Sequence, residues 1–210
     1  MQVYLETERL VLRRLNTDDA DNPVALDSDP EVMRYLNGGM PTPREVVQSR
    51  VLPGFLQSYE RCPGFGAWAA IEKASGNFLG WLSLRPPEGG APDNVSLGYR
   101  LRRAAWGQGY ATEGVRTLIH RAFTELGVRR VFATTYEHNL ASRRVMEKAG
   151  LTLVRRFRLT PAELAETDTF EGAGLDVWEG DDVEYALLKS DWLRQQTNQG
   201  SRTGTSTWIE

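Results

Sequence analysis

The sequence predicts a single α+β domain: a central mixed, mostly antiparallel sheet flanked by helices. Three observations predict it. In the second half of the chain, β-rich runs alternate with amphipathic helices, and strand–helix–strand units imply some parallel pairing. Elsewhere β-rich runs meet across short turns, which implies hairpins and antiparallel pairing. Finally, 210 residues with 40% hydrophobic and 25% charged side chains suit one domain, which buries roughly 70% of the surface its unfolded chain exposes.

The elements follow in order. Residues 9–14 (Arg-Leu-Val-Leu-Arg-Arg) are a short β-like run. Thr17-Asp18-Asp19 and Ser28-Asp29-Pro30-Glu31 carry helix-start signals, and Asn37-Gly38-Gly39 stops the second helix. Thr42-Pro43-Arg44-Glu45 opens another, which Pro53-Gly54 is expected to interrupt. Gly66 to Lys73 and Phe78 to Leu84 form a hairpin across Ala74-Ser75-Gly76-Asn77, and Val95 to Leu101 is the next strand. From Thr112, Val115, Leu118, Ile119, Ala122 and Leu126 fall on one helical face, ended by Gly127. Arg130 to Thr135 is a strand, Asn139 caps a helix that stops at Gly150, and Leu151 to Leu159 and Val183 to Leu188 are the last strands. The domain is expected over residues 1–194, with an acidic insertion at 161–182. Residues 195–210 read as a polar C-terminal tail, since 195–206 hold no large apolar side chain.

One loop has the chemistry of an anion site. Trp106-Gly107-Gln108-Gly109-Tyr110-Ala111-Thr112-Glu113 links a strand to a helix N-terminus. Two glycines there let backbone N–H groups turn toward one point, where the helix dipole adds positive charge. A Walker loop is absent. The dinucleotide fingerprint lacks its third glycine, replaced by Thr112, and its ribose-binding acid. Taken alone, the loop is equally a tight turn with glycines for packing.

The next segment, His138-Asn139-Leu140-Ala141-Ser142 through Glu147-Lys148-Ala149-Gly150, changes the balance. Tyr99-Arg100-Leu101, the Trp106–Glu113 loop, Asn139-x-x-Ser142 and Glu147-Lys148-x-Gly150 together resemble a GNAT-superfamily N-acetyltransferase. The chain is most similar to the ribosomal-protein N-terminal (RimJ/RimL-like) acetyltransferase branch, which Leu5-Glu6-Thr7-Glu8-Arg9 and Ser28-Asp29-Pro30-Glu31-Val32 also fit. The resemblance implies the acyl-CoA N-acyltransferase fold, with acetyl-CoA as co-substrate and no metal. Trp106, Gly107, Gln108, Gly109, Tyr110, Ala111 and Thr112 would hold the pyrophosphate, and the backbone of Tyr99, Arg100 and Leu101 the pantetheine arm. Asn139 would contact that arm, and Ser142 would donate a hydrogen bond to the departing thiolate. The acceptor amine would attack the thioester directly. A member that binds CoA without turnover, as a sensor or interaction module, is the alternative.

The attacking amine must be neutral, which costs roughly 4.6 kcal/mol for a lysine-like amine at pH 7 but only about 1 kcal/mol for an α-amino group. Many members of the family place an acid where this chain has Ser96. Glu184, in the last strand, is therefore the first candidate base and His138 the second, against a structural role for the one and an exposed loop position for the other.

Residues 161–184 hold nine carboxylates and no lysine or arginine, so the net charge of −3 hides a remainder of +6. This segment reads as a solvated loop or a dimer contact of a possible homodimer. A sharper reading makes Glu163, Glu166, Phe170 and Trp178 substrate-binding, an acidic, aromatic lip for a cationic amine. Near-neutral charge argues against a general nucleic-acid binder, and one cysteine against disulfides or a Cys/His metal site. No signal peptide or membrane-length apolar run is present, so a cytoplasmic protein is expected, acting on a small primary amine or a protein N-terminus.

Overall fold

The computed structural model describes residues 2–87, 89–158 and 180–203. Glu163, Glu166, Phe170 and Trp178 of the acidic segment lie outside the described residues. The strands are β1 (Val3–Glu6), β2 (Leu10–Arg14), β3 (Gly66–Glu72), β4 (Phe78–Arg85), β5 (Asn94–Leu101), β6 (Arg130–Tyr136), β7 (Thr152–Phe157) and β8 (Asp182–Leu188). They form one sheet in the order β1-β2-β3-β4-β5-β6-β8-β7. Only the β5–β6 contact is parallel, as expected where an intervening helix carries the chain back across the sheet. The helices are α1 (Asp21–Asp27), α2 (Pro30–Asn37), α3 (Arg44–Val46), α4 (Leu52–Arg61), α5 (Tyr110–Thr124), α6 (Leu140–Lys148) and α7 (Lys189–Thr203).

The middle of the sheet, above all β3 and β4, is buried on both faces. On one, Leu10, Leu12, Leu82, Leu84, Val95, Val131 and Val183 pack against Val115, Leu118, Ile119, Ala122 and Phe123 of α5, Met146 of α6 and Trp192 of α7. On the other, Ala67, Ala69, Phe78 and Trp81 meet Leu26 of α1, Val32 of α2 and Val51, Leu52 and Phe55 around the start of α4. The alternation of the strands and the apolar stripe of α5 select these partners.

Three local readings change. Val3–Glu6 pairs with β2 as an edge strand, a segment too short and mixed to stand out alone. Pro53-Gly54 does not interrupt its helix. Val47–Val51 form a π-turn with the N–H of Leu52 bonded to the oxygen of Val47, and Pro53 falls in the first turn of α4. The widened turn accommodates the ring that an unbroken α-helix would exclude. Residues 195–203, read as tail by composition, continue α7. Trp192 anchors that helix in the core and the Gln195 side-chain amide donates to the Gly150 oxygen at 3.1 Å, so packing supplies what polar composition hides.

The feature that positions the site is a parting of two strands. β5 and β6 pair only at Asn94↔Arg130, Val95↔Val131 and Ser96↔Phe132. Beyond Ser96 the strands diverge, and a cleft opens between Gly98–Leu101 and Ala133–Tyr136.

Charged ties hold the surrounding elements. Arg100 of β5 donates to Asp27 of α1 at 2.7 Å, with the two side chains only 3% and 1% exposed. Arg13 binds both oxygens of Asp19 at 2.6 Å. Glu113, in the first turn of α5, accepts from the Thr7 hydroxyl, the Arg9 amide at 2.8 Å and Arg9 Nε at 2.7 Å. Glu184 of β8 lies between Arg130 of β6 and Arg155 of β7, the latter at 2.9 Å. Burial pushes the Glu113 and Glu184 carboxyls up, but these donors more than reverse it and hold both below the ordinary glutamate value.

Two outcomes follow from these ties. Asp27→Ala should cost about 3–5 kcal/mol, because it takes the charge partner from a buried guanidinium. A fall in urea midpoint with unchanged slope reads this, and Asp21→Ala, an exposed partner of Arg44, should barely move it. The stabilisation from Glu113 and Glu184 is complete above the unfolded carboxylate value of about 4.3 and is lost as pH falls through the lower folded values. Melting temperature should therefore drop from about pH 5 toward about pH 3, and the Glu113→Gln/Glu184→Gln double variant, less stable at neutral pH, should show a shallower decline.

Candidate active site

A cavity of about 1480 Å³ follows the β5/β6 cleft in the middle of the sheet. Its walls bring together Tyr99, Arg100, Leu101, Trp106, Gly107, Gly109, Tyr110, Ala111, Thr112, Asn139 and Ser142. Gln108, expected with them, does not line it. The Gln108 oxygen accepts from Arg9 Nη1 at 3.0 Å and its side-chain amide donates to the Ala104 oxygen.

The glycine turn has the form an anion site needs. Gly107 and Gly109 hold φ of 73° and 86°, the left-handed region. A Cβ on Gly107 would meet nothing within 4 Å, so the backbone angle, not space, requires glycine there. Gly109 gives α5 no side-chain cap, which leaves first-turn N–H groups for a ligand at the positive end of the helix. The turn is clamped from behind: Arg9 reaches Gln108 and Glu113 and stacks 4.4 Å above the Tyr110 ring, and the Tyr110 hydroxyl donates to Glu72. The Leu5–Arg9 segment of the family resemblance thus acts by fixing the turn.

The arginines nearest this turn in sequence point elsewhere. Period-two alternation sends Arg100 to the face opposite Tyr99, into its bond with Asp27 and to 5.2 Å from the Trp81 ring. Arg102 reaches Asn22 at 3.3 Å and Arg103 reaches Asp29 at 3.6 Å. The basic side chains on the wall beside Ser142 are instead Arg144 and Lys148. They lie at helical spacing i, i+4 on α6, a signal that could have marked them.

In the middle of the cleft Asn139 caps α6, its Oδ1 accepting from the Ser142 amide at 3.1 Å. Tyr99 reaches across from β5: its hydroxyl donates to the Ser142 carbonyl at 3.0 Å and lies 2.9 Å from Ser142 Oγ. Burial pushes this phenol well above its ordinary value, more than the bond to Ser142 lowers it. The sequence reading used only the backbone here and missed the hydroxyl.

Neither candidate base is brought to the cavity wall. Glu184 is 6% exposed and held between Arg130 and Arg155, with its proton affinity reduced, so its geometry is that of a structural ion pair between strands. The His138 side chain is 68% exposed, 3.9 Å from Glu137 and edge-on to Tyr136. Among the described residues on the wall, Glu31 of α2 is the one carboxylate. The cavity is also lined by Arg34, Tyr35 and Arg61 from the helical layer and by Arg85, Ser96, Phe132, Thr134 and Phe157 from the sheet. Glu31, Arg61 and Arg85 come from three separate elements, α2, α4 and β4, that meet only in the folded chain, so no local pattern marked them as lining one wall. No group of three or more metal-ligating side chains is found among the described residues, and none of their helices is long and apolar enough to cross a membrane.

The acetyltransferase (GNAT) domain family matches residues 9–152. FsC-acetyl coenzyme A-N(2)-transacetylase of Aspergillus fumigatus is 34% identical over 209 residues, covering 96% of this chain and 83% of that one. The putative ribosomal N-acetyltransferase YdaF of Bacillus subtilis is 24% identical over 188 residues, 88% of this chain and 94% of that one. Among solved structures, RimL, a ribosomal L7/L12 α-N-protein acetyltransferase in complex with coenzyme A, superposes with a TM-score of 0.69 at 18% identity, covering 89% of this chain and 99% of that one. The parted strands, the clamped glycine turn and the extent of these matches lead to one conclusion: the chain belongs to the GNAT acetyltransferase family and is an acetyl-CoA-dependent acetyltransferase.

Proposed function

We propose that this enzyme transfers acetyl from acetyl-CoA to a primary amine by direct attack in a ternary complex. The observation that carries this reading is one cavity joining the glycine turn, the unpaired edge of β5 and Ser142. The turn at Gly107 and Gly109 and the start of α5 hold pyrophosphate, with Arg144 and Lys148 beside them. The exposed β5 backbone from Tyr99 to Leu101 pairs with the pantetheine arm, and an amide there stabilises the oxyanion that forms at the thioester carbonyl. Bound acetyl-CoA supplies the acetyl group and a thiolate leaving group, and Ser142 donates a hydrogen bond where that charge collects.

The acceptor enters past α2 and α4. That wall carries Arg34 and Arg61 with Glu31, the one carboxylate among its described residues, and Arg34 partly offsets Glu31 at 3.8 Å. Such a wall favours an acceptor with an anionic group beside its amine over a polycation, and its positive field helps keep the amine neutral. An α-amino group needs little more. The acidic lip of Glu163, Glu166, Phe170 and Trp178 lies outside the described residues, and a panel of acceptors tests it.

Thiol release from acetyl-CoA across a panel of α-amino acids, peptides, polyamines and aminosugars tests the activity. Intersecting initial-velocity lines are expected, and parallel lines would rule out direct attack. Acetyl-CoA binding measured by calorimetry, with no turnover on any amine, would instead mark a sensor. Gly109→Trp should weaken acetyl-CoA binding about tenfold or more, since a side chain there strains a positive φ and crowds the Arg9 clamp, whose Nη2 lies 3.4 Å from the position of a Cβ. Unchanged affinity would remove the phosphate turn from the mechanism. Ser142→Ala should lower kcat by roughly 10- to 100-fold while leaving the acetyl-CoA dissociation constant nearly unchanged; an equal loss in both would make Ser142 a binding residue only.

A further inference from the structure

We propose that Tyr99 is a positioning residue that aims the Ser142 hydroxyl at the leaving sulfur, as a strut across the cleft between the parted strands. The inference rests on the Ser142 role given above and deepens it.

The geometry is specific. By residue 99, β5 has left β6 three residues behind, so nothing in the backbone ladder sets the distance from β5 to α6. The Tyr99 side chain spans that gap, and its one hydroxyl reaches both the carbonyl and the Oγ of Ser142, at 3.0 and 2.9 Å. Asn139 holds the same residue from its amide side at 3.1 Å. Ser142 is thus fixed through its N–H, its carbonyl and its hydroxyl, which is far more than a first-turn helical serine needs for folding.

A phenol has one hydrogen to give. When that hydrogen goes to the Ser142 carbonyl, the Ser142 hydroxyl donates back to the phenol oxygen. When the phenol hydrogen swings to Oγ, the Ser142 hydrogen is released toward the cleft and the donated bond polarises it. A rotation of two hydroxyls, with no heavy-atom movement, turns an internally satisfied pair into a donor facing the thioester. Burial keeps the phenol protonated well above its ordinary range, so the pair works by hydrogen bonding and not by giving up a proton. In the step itself the amine nitrogen forms a bond to the carbonyl carbon and the C–S bond breaks. The electron pair stays on sulfur, which leaves as thiolate against the Ser142 hydrogen, and the amine proton passes to water.

The test is a double-mutant cycle of Tyr99→Phe and Ser142→Ala, read by kcat, acetyl-CoA dissociation constant and melting temperature. Phenylalanine keeps the ring and its packing. Expected are a roughly tenfold fall in kcat for Tyr99→Phe, acetyl-CoA affinity within about twofold, and little further loss when Tyr99→Phe is added to Ser142→Ala, because both act through one hydroxyl. The pH profile of kcat should keep its shape in Tyr99→Phe. The cycle isolates positioning from scaffolding, since the bond to the Ser142 carbonyl survives in the Ser142→Ala background. If Tyr99→Phe costs as much there as in the wild type, the strut is structural and the proposal fails. It also fails if Tyr99→Phe leaves kcat unchanged, or if it abolishes an alkaline limb, which would make Tyr99 a general acid. A Ser142→Ala enzyme with full kcat would overturn the Ser142 role as well, whereas an impaired Ser142→Ala with a fully active Tyr99→Phe overturns this inference alone.

Discussion

The fold depends on two strands that stop pairing. A parallel ladder between β5 and β6 closed over its full length would have satisfied the backbone groups of both strands and left no room between them. It lasts for three residue pairs only. The unpaired edges beyond Ser96 need hydrogen-bonding partners, and an amide-bearing ligand laid along β5 can provide them. The site is thus an unfinished part of the sheet, and the two apolar layers of helices hold it open by fixing the strands independently from either face.

An open cleft needs its rims tied down, and charged groups do this where the ladder does not. On one rim, Thr7 and Arg9 hold Glu113 and, through Gln108, the glycine turn. On the other, Glu184 joins β6, β8 and β7 through Arg130 and Arg155. Behind β5, Asp27 grips Arg100 within the core and ties the α1–α2 layer to a strand that borders the cleft. Such buried pairs stabilise weakly against a well-packed apolar alternative, but breaking one partner is costly. Their contribution here is register: each sets the place of an element bordering the cleft.

The same carboxylate chemistry shows why a residue type in a plausible strand did not reveal its role. Glu184 is a glutamate in an interior strand beside the strand lining the cleft, which is where a base could be sought. Its two arginine partners come from residues 54 and 29 positions earlier in the chain. They hold its carboxyl below the ordinary glutamate value and give it the geometry of a structural tie. Conversely Glu31, at an ordinary helix start, lines a cavity wall that residues of β5 and β6 also line.

The sequence by itself determined most of the elements and the glycine turn, because these are local. Period-two and period-3.6 patterning, the Asp29 and Asn139 caps and the paired glycines each act within a few residues. The motif order also carried the family. Tertiary structure alone decided where the strands part, that Tyr99 reaches Ser142 from 43 residues away, that Arg100 turns inward, and that residues 195–203 extend a helix. It also decided which charged groups face the acceptor. These outcomes rest on long-range packing, which fixes distances and dielectric surroundings that no short window of sequence contains.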